Sequence, residues 1–129
     1  MDYVTEDGHN LFQEWYAEQD ATVQAGLDHV VLLAKATDDW IEPEQYWFKE
    51  LTEKHVGLSE FRLKVKDRFF VRRFRPAGLF RPHIREFIFI LGCEKKLGGL
   101  IYIPDKAFDT ALKHKADLEA GKGHTDEHI

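Results

Sequence analysis

A single cysteine, a single methionine and four prolines among 129 residues leave little room for several kinds of chemistry. Cys93 alone cannot close an internal disulfide or supply a Cys-rich zinc site, and with no adjacent histidine it lacks the support a thiolate nucleophile needs. No apolar run approaches the roughly 20 residues of a membrane span. No Gly-rich phosphate loop, carboxylate dyad or Ser-His-Asp constellation is present. His114, His124 and His128 do not make a metal site, because the last two fall in a polar tail, so neither metal nor cofactor is expected. The acidic start, Met1 to Asp7, lacks a basic stretch followed by an apolar one, and the reading is a cytoplasmic protein without a membrane partner.

What is present is the balance of a single soluble domain spanning 1–129, with 43% hydrophobic and 32% charged residues. The net charge of −5 conceals a sharp segregation. Residues 1–60 hold fourteen acids against Lys35, Lys49 and Lys54, a net of −11. Residues 61–85 hold nine lysines and arginines against Asp67, a net of +8. A basic block inside an acidic chain marks a surface for a polyanion, whereas the acidic front argues against a generally sticky nucleic-acid binder.

The apolar spacing predicts a short helix from Leu11 and a longer one capped by Asp20, with Val23, Leu27, Val30, Val31 and Ala34 along one stripe. Together they read as a helical hairpin that ends at Asp38-Asp39 and the Pro43 region, with Trp40, Tyr46, Trp47 and Phe48 in a connecting segment. From Phe61 the period becomes two: Phe61, Leu63 and Val65 face one way, and Arg62, Lys64 and Lys66 the other. A reversal at Lys66-Asp67-Arg68 leads to a second strand, Phe69 to Arg75. Pro76-Ala77-Gly78 and Arg81-Pro82-His83 are read as brackets of a long loop. Glu86 to Leu91 reads as the central strand, covered on both faces. Gly92 to Gly99 is expected to turn, Leu100 to Ile103 to add a short extended piece, and Pro104-Asp105 to open a last helix stopped by Gly121. The ends, 1–9 and 122–129, are expected to be flexible. The fold class is therefore α+β: an N-terminal helical hairpin on a small antiparallel sheet, with a C-terminal helix.

The succession of an amphipathic helical pair, Leu58-Ser59-Glu60-Phe61-Arg62-Leu63, the apolar Phe87 to Gly92 followed by Lys95-Lys96, and the Pro104-initiated Phe108-Ala111-Leu112 helix resembles the RelE/ParE superfamily of toxins. More narrowly it is similar to the phage-derived, HigB-like branch. The resemblance spans roughly residues 10–121. It implies the toxin of a type II toxin-antitoxin pair, a ribosome-dependent, metal-free mRNA endonuclease held inactive by a small helix-turn-helix antitoxin. Two features depart from that pattern: the acidic overall charge and the length of the segment from Pro76 to Ile84.

Cleavage of RNA by its own 2′-hydroxyl requires a proton acceptor, a stabiliser of phosphoryl charge and a proton donor. Guanidinium groups suit the middle role, being permanently cationic and able to donate two parallel hydrogen bonds. Arg62 and Arg73 are the candidates for it, with Lys64 as companion on the same strand face. Tyr102 and His83 are candidates for proton transfer, Tyr102 also for stacking on a base. Lys66, Arg72, Arg75, Lys95 and Lys96 are candidates for phosphate contact. The competing readings are a ParE-like inhibitor of a topoisomerase, and a non-enzymatic interaction protein that uses the basic block to hold an acidic partner.

Overall fold

The structure, a computed structural model, describes residues 1–66, 69–96 and 101–128. Among these it is an α+β arrangement of three α-helices and two largely antiparallel sheets. A strand comes first, β1 (Asp2–Val4), followed by α1 (Leu11–Ala17) and α2 (Ala21–Ala36). Each helix begins at a side-chain cap: Asn10 Oδ1 accepts from the Gln13 amide and Asp20 Oδ1 from the Val23 amide, both at 3.0 Å. These bonds satisfy amides that the helix itself leaves open. The buried stripe of α2 is Val23, Leu27, Val30 and Ala34, with Val31 at its margin.

The remaining strands are β2 (Phe48–Glu50), β3 (Ser59–Phe61), β4 (Leu63–Lys66), β5 (Val71–Phe74), β6 (Ala77–Arg81), β7 (Glu86–Leu91), β8 (Glu94–Lys96), β9 (Ile101–Ile103) and, after α3 (Ala107–Glu119), β10 (His124–Asp126). The larger sheet runs β10-β1-β7-β6-β3-β2, and the smaller β4-β5-β8-β9. Only the pairing of β1 with β7 is parallel among them. Three strands pass from one sheet into the other, with interruptions at Arg62, at Arg75-Pro76 and at Gly92-Cys93. The joints stay hydrogen-bonded: the Phe61 amide donates to Pro76 O at 2.9 Å and the Arg75 amide to Cys93 O at 2.8 Å.

β7 is covered on both faces, as its continuous apolar run predicts. Phe87 and Phe89 enter one core with Phe12 of α1, Val23 and Leu27 of α2, and Trp40, Trp47, Phe48 and Phe61. Ile88 and Ile90 enter the other, with Ala107, Phe108 and Ala111 of α3. The C-terminal helix thus closes the back of the larger sheet and leaves the equivalent face of the smaller one to the basic residues.

Several expectations are corrected. The segment bracketed by Pro76 and Pro82 is not a loop, since Ala77–Arg81 is a strand of the larger sheet. Pro76 sits at the inter-sheet joint, where no strand ladder needs its missing amide. Gly78 marks a register shift, and a Cβ there would stand 1.9 Å from Ile88 O. Of the connecting aromatics, Trp40, Trp47 and Phe48 are core, with Phe48 opening β2, whereas Tyr46 is exposed. The ends expected to be flexible pair as strands, Asp2↔Asp126 through Val4↔His124. The sheets are consequently larger than the small one anticipated. The reversal at Asp67-Arg68 and the stretch 97–100 lie outside the described residues. No helix among the described residues is long and apolar enough to cross a membrane.

Candidate functional site

Period-two alternation puts Glu60, Arg62, Lys64 and Lys66 on one face of the β3-β4 strand, and strand register then decides what joins them. Lys64 lies opposite Arg73, Arg73 opposite Lys95, and Lys95 opposite Tyr102. Four of the sequence-derived candidates therefore form one row across the smaller sheet, spanning about 14 Å at the usual strand spacing. Like charges directly opposite one another weaken a sheet. Three cations in such a row are a cost to the fold, so their placement points to a use.

Beside the row, Arg62 and Arg75 flank a carboxylate that sequence reasoning passed over. Glu60 is 3% exposed, with Oε2 3.1 Å from Arg75 Nε and Oε1 3.9 Å from Arg62 Nη2. Burial pushes the Glu60 pKa up, opposed by the charges of Arg62, Arg75 and Lys95. Its signal in the sequence was the acid heading an otherwise basic alternating face. Arg75, itself 6% exposed, also donates to Phe74 O at 2.9 Å. It is a buried support under the face, not the free phosphate ligand expected. Arg62 is half-exposed, and its buried Nε has no hydrogen-bond partner among the described residues.

Burial lowers the Lys95 pKa, helped by Arg75, Arg62 and Arg73 and resisted by Glu60. Burial raises that of Tyr102, with Glu60 and Cys93 acting in the same direction. The Tyr102 ring packs edge-on against Phe108 of α3, 4.7 Å between centroids. Cys93 is fully buried and its thiol, pushed up to about 12 by burial, donates to Arg75 O. It is part of the support and no nucleophile.

Other candidates separate from the row. Arg72 occupies the opposite face, where Nε and Nη2 bond Glu94 Oε2 and Oε1, both at 2.9 Å, Asp20 lies 3.8 Å away and the guanidinium stands over the Phe74 ring. Its bidentate pairing makes it a brace between strands, against the expectation of phosphate contact. Lys96 alternates onto that same face, away from Lys95. Lys66 is exposed on the face of the row, opposite Val71. His83 lies in a short 3₁₀ turn, Pro82–Ile84, at the other end of β6. That position removes it from the chemistry of the row. Arg85, also in the basic block, donates to Lys35 O and Thr37 O at the end of α2 and pairs with Asp38.

A groove of about 570 Å³ runs around the edge strand β4. Arg62, Lys64, Arg73 and Arg75 contribute to one wall, and His29 of α2 and Tyr46 to the other. Among the described residues no acid lines it, in a chain of net charge −5. His29 and Tyr46 carried no functional signal in the sequence, because His29 reaches the basic strand only through the packing of α2 on β4 and Tyr46 only through the segment leading into β2. The arrangement provides cationic hydrogen-bond donors for an anion, an aromatic hydroxyl at one end of the row and an open aromatic ring at the groove. Comparison with family models, with curated proteins and with solved structures returns no match.

Proposed function

We propose that this chain is a toxin of the RelE/ParE superfamily, of the HigB-like branch, that cuts mRNA on the ribosome without a metal. The observation that carries the reading is the row Lys64-Arg73-Lys95-Tyr102, with Arg62 beside it, on a sheet face whose Tyr102 end rests against Phe108 of α3. Part of the order of elements supports it: between β1 and β10 come a helical pair, strands in largely antiparallel pairing and a Pro-preceded helix, the succession the resemblance implies.

In this reading Arg62 and Arg73 hold the scissile phosphate and stabilise the charge that develops when the neighbouring 2′-hydroxyl attacks. Lys64 lies beside Arg73 and neutralises the same phosphate. Lys95, whose pKa is lowered by burial and then by the surrounding guanidiniums, is the group suited to take the 2′-hydroxyl proton. Tyr102, at the end of the row, protonates the leaving 5′-oxygen. The acidic first sixty residues do not oppose binding here, since no acid is among the described residues that line the groove and charges beyond about 10 Å are screened at moderate salt. The partners of the proposal are mRNA in the ribosome and a cognate helix-turn-helix antitoxin, in the cytoplasm.

Induction in cells tests it. Ribosome-dependent mRNA cuts are expected, and Arg62→Ala, Lys64→Ala and Arg73→Ala should each relieve growth arrest in a chain that still folds. DNA damage with intact mRNA would instead favour topoisomerase inhibition. Harmless expression without an antitoxin would favour a non-enzymatic interaction protein. Full toxicity of every folded variant, single and combined, would remove these side chains from the site.

A further inference from the structure

We propose that the Tyr46-His29 end of the groove is a base seat, so that the chain grips one unpaired RNA nucleotide by its base as well as by its phosphate. The proposal deepens the RNA-directed reading of the same site and rests on it.

Tyr46 is 83% exposed, yet its neighbour Trp47 is 2% exposed and lies parallel to Phe61 within the core, 5.9 Å between centroids. The Trp47 carbonyl accepts from the Arg62 amide at 2.7 Å. The residue next to the one that presents the phenol ring is therefore bonded to the residue that presents the guanidinium. A bare aromatic held next to a cationic strip has the parts of a single-strand site, in which bases stack on rings while the backbone follows positive charge. His29 faces the groove from α2, with Leu33 one turn further on supplying apolar wall. The acid next to His29, Asp28, accepts from the Tyr16 hydroxyl at 2.9 and 3.0 Å and is not among the groove's lining residues. A space of about 570 Å³ has the size of a small-ligand site, and Arg62, Lys64 and Arg73, with no acid among the described lining residues, select an anion. An acidic peptide would satisfy the charge but leave the open ring unused.

The test is fluorescence anisotropy with a fluorescein-labelled heptauridylate bearing 2′-O-methyl groups, which binds but cannot be cut. Its controls are a duplex of equal length and a labelled oligoglutamate. The parent chain is expected to prefer the single strand. Tyr46→Ala should weaken it about tenfold, a loss typical of one stacked base. Tyr46→Phe should bind like the parent, and His29→Ala should weaken binding a few-fold. Because Tyr46 is on the surface, these variants keep the core intact. No binding up to millimolar protein, equal binding of duplex or oligoglutamate, or a Tyr46→Ala variant that binds like the parent would each overturn the seat. Tyr46-dependent binding in a chain that makes no mRNA cuts would keep the seat and remove the nuclease. Cuts without Tyr46 dependence would do the reverse.

Discussion

Replacing Glu60 by Gln keeps the shape of the side chain and deletes its charge beneath two arginines. Arg75 Nε stands 3.1 Å from Glu60 Oε2, and the side chains are 7% and 4% exposed. At an effective dielectric of about 20, opposite charges at that separation attract by about 5 kcal/mol before desolvation is counted. Removing one member of such a pair strands the other, and costs about 3–5 kcal/mol in comparable sites. Arg62 adds less, at 3.9 Å and 35% exposed, because water replaces much of what it loses. For a domain of this length that corresponds to a fall in Tm of about 12–20 °C. Urea denaturation of Glu60→Gln, Arg75→Met and the double variant separates pair from partners. Both single variants should be strongly destabilised, with the double recovering most of the loss because no charge is left buried alone. A Glu60→Gln midpoint within about 1 kcal/mol of the parent, or strictly additive losses, would refute the idea that Glu60 holds Arg75 under the basic face.

Arg73→Thr should raise stability by up to about 1 kcal/mol, since it removes like charges opposite Lys64 and Lys95, while abolishing mRNA cutting; urea midpoints and induced growth arrest report the two effects. Gly92→Ala would bring a Cβ to 2.0 Å from the Trp15 ring, and should cost about 3 kcal/mol with an altered near-ultraviolet circular dichroism spectrum. Burial pushes the Asp2 carboxyl up, but bonds from His128, Asn10 and Gln13 outweigh it and hold the pKa below its ordinary 3.8. The stability it contributes is therefore full above that pH and lost as pH falls through the lowered folded value. Asp2→Asn should flatten this acid limb in melts from pH 5 to about pH 2, and an unchanged slope would show that the terminal clasp does not depend on the carboxylate charge.

Local chemistry made much of the molecule legible. Asp20 and the spacing of Val23, Leu27, Val30 and Ala34 announced α2 because capping and helical periodicity act within one turn. Glu86 to Leu91 announced the central strand because only a strand covered twice is apolar at every step. The alternation from Phe61 put Arg62, Lys64 and Lys66 on one face. The segment after Pro76 misled for a physical reason: proline and glycine ordinarily break a ladder, but here they occupy an inter-sheet joint and a close strand approach. The chain ends misled as well, since three-residue strands have no periodicity of their own and exist only by pairing, β10 with β1 and β1 with β7.

The sequence by itself determined that a basic, alternating strand block would stand in an acidic α+β chain, because charge sign and side-chain period are properties of neighbouring residues. Only tertiary structure decided which cations meet: strand register set Lys64, Arg73 and Lys95 in a row, Glu94 captured Arg72, Glu60 captured Arg75, and the packing of α2 carried His29 to the groove. Pairing across strands depends on register and on which face each helix covers, and both are settled by contacts between residues far apart in the chain.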